Sequence, residues 1–577
     1  MKKAWRILLV FIILILSGYL FIRFYYLKAK DFKPDESKAT SPLDLRPAII
    51  AKLQQLVKDG SNGLYRLTIE KIEPDLAAST LEVTDATLIP DSVSIQRLDR
   101  LKQLPDDVFR IRVHKIHIDG IGVTDLLHKD RIDVKNIQMS SPEIEVYHKL
   151  RSYNEAVREK NDSLSLYHRL MKNMKSISIG SINLEHGKFI DHDLDKNDTK
   201  KYKDIAIVIK KVLIDSSTQD DKNRFLFAKK ADISCKDYAF VSTDSLYDFK
   251  VNRISISGEE HLMIAEGVTL KPHGGKKVFQ KRISNRKEMY EAEFPKIEIS
   301  GTNWWALMHR ESFIAQLATI DKGSFLVYLD KTLPSSETIK LANFPDQMLM
   351  KIPIPVSVSK VEIRHVNLSY EEYDPSIDKS GIAYFDNIEA NISNITNMPS
   401  RIKIHKDAVL TGSTTFMHKT KLRTKLTFDL SKYREGAFDA QVHMDSVGKD
   451  ELNPITEPMA LFTFKNGSMK EGTAHVSGNN NMATGDVLIL YNDLHITPLK
   501  KKEDKDGLLK KKTLTSFVAN TFLIKNNNPT GNKEPRRPVF SANRAHHGNF
   551  FNFVWTTILT GILKTIGIPV KLVVKQE

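Results

Sequence analysis

The stretch that decides the fold is residues 64–90, "LYRLTIEKIEPDLAASTLEVTDATLIP". The chain repeats its pattern 182 residues later as "LYDFKVNRISISGEEHLMIAEGVTLKP", residues 246–272. A leucine-tyrosine pair, an isoleucine, a threonine-leucine pair and a closing proline coincide without a gap. Self-similarity at a fixed spacing indicates a fold assembled from copies of one supersecondary unit.

Three further stretches repeat in the same order at nearly the same spacing. They are "FRIRVHKIHIDGIGVTDLLHKDRI" with "YEAEFPKIEISGTNWWALMHRESF", "INLEHGKF" with "VEIRHVNL", and "YKDIAIVIKKV" with "FDNIEANISNI". Gly120 matches Gly301, and His128 matches His309. We interpret this as a tandem duplication, with one copy over residues 64–245 and the second over residues 246–430.

The texture inside each copy is that of β-strands. Apolar residues alternate with polar ones around Ile116 and Ile297, which is typical of a strand with one dry and one wet face. The apolar set changes parity within several runs, and a bulge at each change would keep it on one face and add curvature. The sequence therefore predicts a mainly β fold: an N-terminal transmembrane helix, then an elongated, curved, repetitive antiparallel sheet shaped like a groove or taco, with a few short helices.

The segments outside the two copies have distinct patterns. Residues 31–63 are interpreted as a linker with a short amphipathic helix over 44–60, and a second helix is predicted over 154–176. Residues 431–525 continue as amphipathic strands, and residues 526–547 are interpreted as a basic linker. An apolar helix and tail are expected over 548–577.

The N-terminus is apolar over a length that suits a bilayer. Residues 7–22 carry no charge, basic residues flank them, and the apolar character extends to residue 27. A cleaved signal peptide and an uncleaved anchor are the alternatives. The lack of a clear cleavage site and the aromatic run at 24–26 favour an anchor over residues 1–30, with the rest of the chain outside the cytoplasm. The anchor side chains would include Ile7, Leu8, Leu9, Ile12, Ile13, Leu16, Phe21 and Ile22.

The net charge of +15 lies at the two ends of the chain. Residues 1–30 hold six basic and no acidic residues, and residues 500–577 hold fifteen basic and five acidic ones, which leaves the body at −1. A nucleic-acid-binding protein is expected to carry its basic residues on a folded face, so we predict no nucleic-acid partner. Charged ends suit contact with anionic membranes, although a solvated loop explains the run at 500–512 equally well.

No pattern of catalytic residues is present. The chain lacks a phosphate-binding loop, a nucleophile elbow and a metal-binding helix motif, and its one cysteine is Cys235. His546 and His547 fit a solvated pair better than metal ligands. We therefore expect no catalytic residues, no cofactor and no metal, and a protein that is not an enzyme.

A sheet with an apolar face must cover that face, and an acyl chain is one possible covering. The side chains predicted to line a lipid groove are Ile116, Ile118, Ile254, Ile256, Ile297, Ile299, Val361 and Ile363. The C-terminal apolar helix is expected to lie in a membrane interface or to cap the end of the sheet, with spanning a membrane as the weaker alternative. Its predicted membrane-contact residues are Phe550, Phe551, Phe553, Trp555, Ile558 and Leu559.

The chain resembles the AsmA-like proteins of Gram-negative envelopes, and through them the bridge-like, repeating β-groove lipid transfer proteins. The resemblance rests on the N-terminal apolar segment, the repeated β units, strands such as "GDVLILYNDLHI", and the ending "TLTSFVANTFLIKNNNP" to "FFNFVWTTILTGILKTIGI". It implies a single-pass inner-membrane protein with its body in the periplasm, which carries phospholipid and supports outer-membrane lipid homeostasis or assembly. Membrane phospholipids would be its partners, together with an outer-membrane or other envelope protein.

Two other functions stand beside lipid transfer. The first is a non-enzymatic structural or assembly factor, in which the same β body closes on itself and its outer face binds an envelope protein. The second is an envelope hydrolase, which has only scattered histidine and aspartate residues in its favour.

Overall fold

A computed structural model describes residues 46–75, 77–120, 131–154, 176–195, 197–218, 221, 224, 227–242, 244–309, 312–334, 343–375, 377–460, 462–500, 510–511, 524–544, 549–568 and 570. The predicted membrane anchor, His128 and the predicted helix over 154–176, apart from its two ends, lie outside these residues.

Strands dominate the described chain, and we number them in chain order. The strands of the first half are β1 (Tyr65–Asp75), β2 (Thr80–Pro90), β3 (Asp107–Asp119), β4 (Arg131–Ser140), β5 (Glu143–His148), β6 (Ser176–Asp193), β7 (Asp198–Ile214) and β8 (Ala228–Val241). The following strands are β9 (Tyr247–Ser257), β10 (Leu262–Pro272), β11 (Met289–Ser300), β12 (Phe313–Asp330), β13 (Val356–Asp374), β14 (Lys379–Thr396), β15 (Asp407–Phe416) and β16 (Thr420–Asp429). The last strands are β17 (Phe438–Met444), β18 (Val447–Gly448), β19 (Phe462–Gly478), β20 (Met482–Lys500), β21 (Lys510–Lys511) and β22 (Val539–Asn543).

The helices of the described residues are short and few. They are α1 (Arg46–Gly60), α2 (Ser92–Arg100), α3 (Lys276–Arg282), α4 (Trp304–His309), α5 (Pro345–Met350), α6 (Pro399–Ile402), α7 (Lys449–Ala460) and α8 (Phe550–Ile566), with 3₁₀ turns at Ser152–Asn154 and Leu430–Lys432. The mainly β prediction is confirmed. The helix predicted over 44–60 corresponds to α1, which packs on β1.

The prediction of an antiparallel sheet is wrong in one respect, because the pairing is mixed. β6 runs parallel to β4 and β5, and β13 runs parallel to β12. The chain between the partners runs from residue 148 to 176 in one case and from 330 to 356 in the other. Connections of this length permit the crossover that a parallel pair requires, whereas a tight hairpin does not.

The chain divides into two compact units. The first unit holds residues 1–240, 251–265 and 304–310, and the second holds 241–250, 266–303 and 311–577. In the first unit β1, β2 and β3 pair antiparallel in order, β3 pairs with both β4 and β5, and β6, β7 and β8 follow antiparallel. In the second unit β11 to β17 pair in chain order, and β19, β20 and β22 continue the ladder.

The order of elements in the first half recurs in the second. β1 and β2 begin 182 residues before β9 and β10, and β3 begins 182 residues before β11. One helix follows each hairpin, α2 in the first half and α3 in the second. The strands β4 and β5, separated by two residues, together occupy the place of the single strand β12. The strands after them recur as β6 with β13, β7 with β14 and β8 with β15.

Left-handed backbone conformations recur at matching positions. The pairs with positive φ are Gly63 and Ser245, Ser79 and His261, Asp85 and Gly267, Gly120 and Gly301, Ser141 and Lys322, His186 and His365, Asn197 and Asp378, Asp204 and Asn387, and Lys211 and Asn394. Non-glycine residues reach this conformation at a cost, which is smallest for Asn, Asp and His. Their recurrence shows that these left-handed residues are part of the repeated backbone structure.

Specific contacts recur as well. The Tyr65 hydroxyl accepts a hydrogen bond from the backbone N–H of Phe109, and the Tyr247 hydroxyl accepts one from that of Tyr290, both at 3.2 Å. Because this bond joins the first strand of each copy to its third, it fixes the start of the sheet in the same way twice.

The identical glycines Gly120 and Gly301 also have a structural reason. Their φ angles are 65° and 66°, and a Cβ at Gly301 would lie 2.6 Å from Cγ of Gln316. At Gly120 the same Cβ would lie 2.5 Å from the side chain of Lys135. Each copy therefore needs glycine where its third strand ends.

The segment interpreted as a linker over 526–547 differs from the structure. Its residues 539–543 form β22, which pairs antiparallel with β20. Asn528 is buried, accepts the backbone N–H of Arg536 and donates to the carbonyl of Ile489. These buried hydrogen bonds attach the segment to the sheet although its composition is polar.

We predict that Gly301→Ala lowers the free energy of unfolding of the second unit by about 2–3 kcal/mol, since it adds a steric overlap to the left-handed backbone penalty. Gly531→Ala is the matched control, because Gly531 has φ 59° and no atom within 4 Å of its added Cβ. The control should cost only about 1 kcal/mol. Urea denaturation measures both changes, and equal losses would show that the contact with Gln316 is unimportant.

Candidate functional site

Apolar side chains form continuous rows across the strands of the first unit. Residues directly opposite each other in successive ladders, from β1 to β8, are Ile72, Val83, Ile116, Met139, Leu184, Ile207 and Ile233. A second row, from β2 to β8, is Leu81, Ile118, Ile137, Ile182, Ile209 and Ala231. The two rows lie two residues apart along each strand, so they share one face of the sheet.

The second unit has an equivalent pair of rows. From β11 to β22 the first row is Ile299, Ala318, Val361, Ile392, Leu410, Leu426, Ala440, Val476, Gly485 and Phe540. The second row starts with Ile297, Ile320, Ile363 and Ala390 and ends with Val442, Ala474 and Val487. We call the face that carries these rows in each unit the apolar face.

The opposite face is polar. Between the two apolar rows of the second unit lies a row composed of Glu298, Thr319, Glu362, Asn391, Thr411, Lys425, Gln441, His475 and Asp486. In the first unit, the corresponding polar row consists of Glu73, Glu82, His117, Gln138 and Asn183. The alternation expected from the sequence therefore extends across whole ladders, because the register keeps every strand in phase.

The eight residues predicted to line a groove all lie in strands and are half-buried. Ile116 and Ile118 in β3, Ile297 and Ile299 in β11, and Val361 and Ile363 in β13 lie in the apolar rows. Ile254 and Ile256 are in β9. None of the eight is among the fully buried residues, so each retains apolar surface that another molecule can cover.

Helix α8 covers the apolar face at one end of the second unit. It contacts β19, β20 and β22, and its Phe553 and Leu563 are buried there. Gly561 permits the close approach, since a Cβ at this position would lie 2.2 Å from Cε1 of Phe540. The first apolar row is accordingly buried from β16 onward except at Gly485, whereas its residues in β11 to β15 are half-buried.

The outer side of α8 exposes large apolar side chains beside the polar residues Asn552 and Lys564. Phe551 is 69% exposed and Trp555 is 53% exposed, while Ile558 and Leu559 are half-buried. Of the predicted membrane-contact residues, Phe550 is buried in the sheet core together with Phe553.

An aromatic cluster joins the first turn of α8 to the sheet. Phe344, which precedes α5, lies 5.0 Å from Phe550 and 5.9 Å from Phe438, ring centre to ring centre. The guanidinium of Arg544 lies 4.4 Å from the centre of the Phe344 ring, a favourable cation–π contact. This cluster closes the core at the edge of the sheet where α5 lies.

Asp346 in α5 is a buried carboxyl group beside this cluster. It is 3% exposed, and neither carboxylate oxygen has a hydrogen-bond partner among the described residues. Burial raises the pKa of Asp346 to about 6, and the nearby backbone N–H groups of Gln347 and of Asp346 itself oppose this rise only in part. The charged form is therefore costly in the folded protein.

One arrangement on the polar face resembles a catalytic triad in composition. Asp439 accepts hydrogen bonds from Ser477 at 2.6 Å and from His475 at 2.5 Å. The same imidazole nitrogen, Nε2, lies 3.4 Å from the Ser477 hydroxyl. A general base needs that nitrogen free to accept the hydroxyl proton, but here it points to the carboxylate. The three residues are neighbours across β17 and β19 and do not have triad geometry.

Trp304 and Cys235 lie at least partly in the protein interior. Trp304 in α4 is buried. Cys235 is half-buried, and burial raises the pKa of its thiol. His546 and His547 lie outside the described residues. Within the described part of the chain, no cluster of His, Cys, Asp and Glu could hold a metal ion.

Sequence reasoning missed the residues that seat α8. Tyr491 is buried, and its hydroxyl accepts a hydrogen bond from Nη2 of Arg536 at 3.0 Å and donates one to the carbonyl of Lys525 at 2.9 Å. Arg536 also donates to the carbonyl of Thr565 near the end of α8. In the sequence, the only sign of this network is Arg536, which lies in a segment with the composition of a linker.

No family model matches the chain, and no curated protein matches it significantly. Among the residues described by the structure, no helix has both the length and the apolar character needed to cross a membrane.

We predict that Gly561→Ala destabilises the second unit by about 1–3 kcal/mol, because the overlap with Phe540 outweighs the gain in helix propensity. Asn552→Ala, at an exposed position of the same helix, is the control and should leave stability unchanged or slightly higher. Chemical denaturation reports both values. A stabilised Gly561→Ala protein would show that α8 is not closely packed on β22.

We also predict that Asp346 makes stability depend on pH between about 4 and 6. The unfolded chain loses the proton near its ordinary pKa, whereas the folded protein holds it up to about pH 6, so folding stability falls as pH rises through this window. Asp346→Asn should remove the loss and stabilise the protein by about 2–3 kcal/mol at pH 7 relative to the parent.

Asp407→Asn changes an exposed carboxyl group near the same edge of the sheet and serves as the control for this experiment. Its unfolding free energy at pH 7 should lie within about 0.5 kcal/mol of that of the parent, as is usual for a surface substitution. If the unfolding free energy of the Asp346→Asn protein followed that of the parent from pH 4 to 7, Asp346 would not be buried as a carboxylate.

Proposed function

We propose that this protein carries phospholipid along the apolar faces of its sheet. The observation that carries the proposal is the incompletely buried part of the first apolar row on β11 to β14, at Ile299, Ala318, Val361 and Ile392. Exposing such a surface to water raises the free energy by about 25 cal/mol for each Å² of apolar area. An acyl chain lying across the strands would meet one apolar side chain about every 4.8 Å and remove that cost.

The polar parts of the molecule suit the rest of a phospholipid. The rows of the opposite face carry Glu298, Glu362 and Lys425, which keep that face in water. A headgroup would remain at an edge of the sheet while the acyl chains lie on the apolar face. The proposal includes a sheet curved into an open, elongated groove, and it requires no catalytic group or cofactor.

The cellular setting is part of the same proposal. The apolar segment at residues 7–22 would anchor the chain in the inner membrane as a single pass, with the body in the periplasm. Phospholipid would be carried in support of outer-membrane lipid homeostasis or assembly, and an outer-membrane or other envelope protein is the expected protein partner. The near-neutral body offers nothing that favours nucleic acid.

The coverage by α8 favours one second candidate. Because α8 already buries the apolar face over β16 to β22, a second element covering β11 to β15 would leave no room for lipid. The protein would then be a non-enzymatic assembly factor that binds an envelope protein through its polar face.

Site-specific photocrosslinking in cells distinguishes the two candidates. We expect benzoylphenylalanine at Ile299 or Ile363 to crosslink phospholipid, detected by mass spectrometry of the purified full-length chain. The matched controls are Glu298 and Glu362, their neighbours along the same strands, which point to the polar face. Lipid adducts at the isoleucines but not at the glutamates would support carriage.

Protein adducts at the glutamates without lipid at the isoleucines would contradict carriage and favour the assembly factor. As a second readout, Ile363→Glu should reduce copurifying phospholipid several-fold, because it buries a charge where an acyl chain would lie. Thr411→Glu, on the polar face between Asn391 and Lys425, should retain the lipid.

A further inference from the structure

One edge of the sheet in the second unit is built from short helices and loops. β13 and β15 begin at this edge and β14 and β16 end there, because neighbouring strands after β13 are antiparallel. The segments between them are residues 343–355 with α5, residues 397–406 with α6, and residues 430–436. We call these three segments the basic rim.

Hydrogen bonds hold the three segments together. The amide of Asn397 donates to the carbonyl of Ile354 at 2.9 Å, and Gln347 donates to the carbonyl of Tyr433 at 2.8 Å. The backbone N–H of Leu430 donates to the carbonyl of Lys406 at 2.7 Å. Leu349 and Ile402 pack on the same buried cluster as Phe344. The rim is therefore a single surface with a firm base.

Large apolar side chains project outward from this base. Ile404 is 74% exposed and Met348 is 50% exposed, and Ile352 is exposed as well. They lie directly after or within the two helices whose inner residues fill the core. Single exposed apolar residues are normal, but three on one small, hydrogen-bonded surface indicate an interaction site.

The polar residues of the rim are mostly basic. Arg401, Lys403 and Lys432 are exposed and form no ion pair with any described residue. Lys351 is exposed beside Ile352, and Lys406 pairs with Asp429 at 3.0 Å. Apolar side chains among basic ones match a surface that is negatively charged outside and apolar just beneath.

The opposite edge of the same strands has a balanced charge. Glu371, Glu372 and Glu451 lie there, and they pair with Lys276, Lys331 and Lys419. α7 packs on β14 and β19 and covers the apolar residues there. The two edges thus differ in unpaired basic residues and in apolar exposure, and the basic rim is the one that suits an anionic bilayer.

We propose that the basic rim docks on the surface of a bilayer containing anionic lipids, with Met348, Ile352 and Ile404 entering the interface and Arg401, Lys403 and Lys432 meeting the headgroups. This docking does not depend on lipid carriage by the apolar face, because vesicle binding and acyl-chain crosslinking are separate measurements.

The test uses full-length protein with the substitutions Cys235→Ser and Ile404→Cys. An environment-sensitive fluorophore is attached to the thiol at position 404. We expect a blue shift and a rise in emission with phosphatidylcholine vesicles that contain about 30% phosphatidylglycerol, and little change with phosphatidylcholine alone. The same label on Lys379→Cys, at the opposite edge, is the matched control and should not respond. Because the N-terminal apolar segment is the same in both proteins, it cannot produce the difference between them.

The charge dependence is a second test. The pair Arg401→Gln and Lys403→Gln should lower the vesicle partition coefficient on the order of 30-fold, since each basic residue near an anionic surface contributes about 1 kcal/mol. Lys421→Gln with Lys425→Gln, exposed on β16, should have no comparable effect. The proposal would be overturned if the emission of the label at position 404 did not change, or changed equally with neutral and anionic vesicles. It would also be overturned if only an envelope protein changed the emission, because the rim would then bind a protein partner.

Discussion

The structure depends on one constraint: every strand must return its apolar side chains to the same face after each irregular residue. β13 shows how this is done. Val361 and Ile363 alternate normally, His365 takes φ 52°, and Val366 and Leu368 continue on the same face with the opposite parity. Without the left-handed residue, the second half of the strand would direct its apolar side chains into water. The residues at such positions include histidine, aspartate and asparagine, which tolerate this backbone better than most.

The coverage of the apolar face follows from the same constraint. Because the rows remain continuous, covering them takes a continuous apolar partner, and α8 supplies it over the last strands of the second unit. The helix also exposes Phe551 and Trp555 on its outer side, so its packing on the sheet does not cover all of its apolar surface. The proposed lipid site and the outer side of α8 therefore have one property in common. At both places the described residues leave apolar side chains partly exposed to water.

The sequence predicts the periodic features well and the non-local ones poorly. The duplication, the alternation around Ile116 and Ile297 and the parity changes are local, and the structure has strands and left-handed residues at the matching places. The parallel pairing of β12 with β13 is not local, since it depends on how a long connection crosses the sheet. β22 was missed because its strand of five residues follows a polar segment that is held by the side chain of Asn528, a buried contact without sequence periodicity.

Among the candidate site residues, the sequence identifies which positions share a face but not which of them are covered. Leu426 and Leu410 have the same pattern and lie opposite each other, yet Leu426 is buried and Leu410 is half-buried. Both pack on a cluster that includes Phe550 of α8, an element distant in sequence. The basic rim escaped notice for a related reason, because its apolar and basic residues come from segments separated by dozens of residues.

A chain that contains two similar copies must also avoid exchanging strands between them. In the first copy Arg66 pairs with Asp91 at 3.0 Å, and at the matching place in the second copy Asp248 pairs with His273 at 2.7 Å. The acid is on the second element in one copy and on the first in the other. A nascent hairpin made from β1 and β10 would bring arginine beside histidine, and one made from β9 and β2 would bring two carboxylates together. This reversal of polarity removes the opposite-charge contact from both mismatched hairpins, which favours the pairing of each strand with the partner from its own copy.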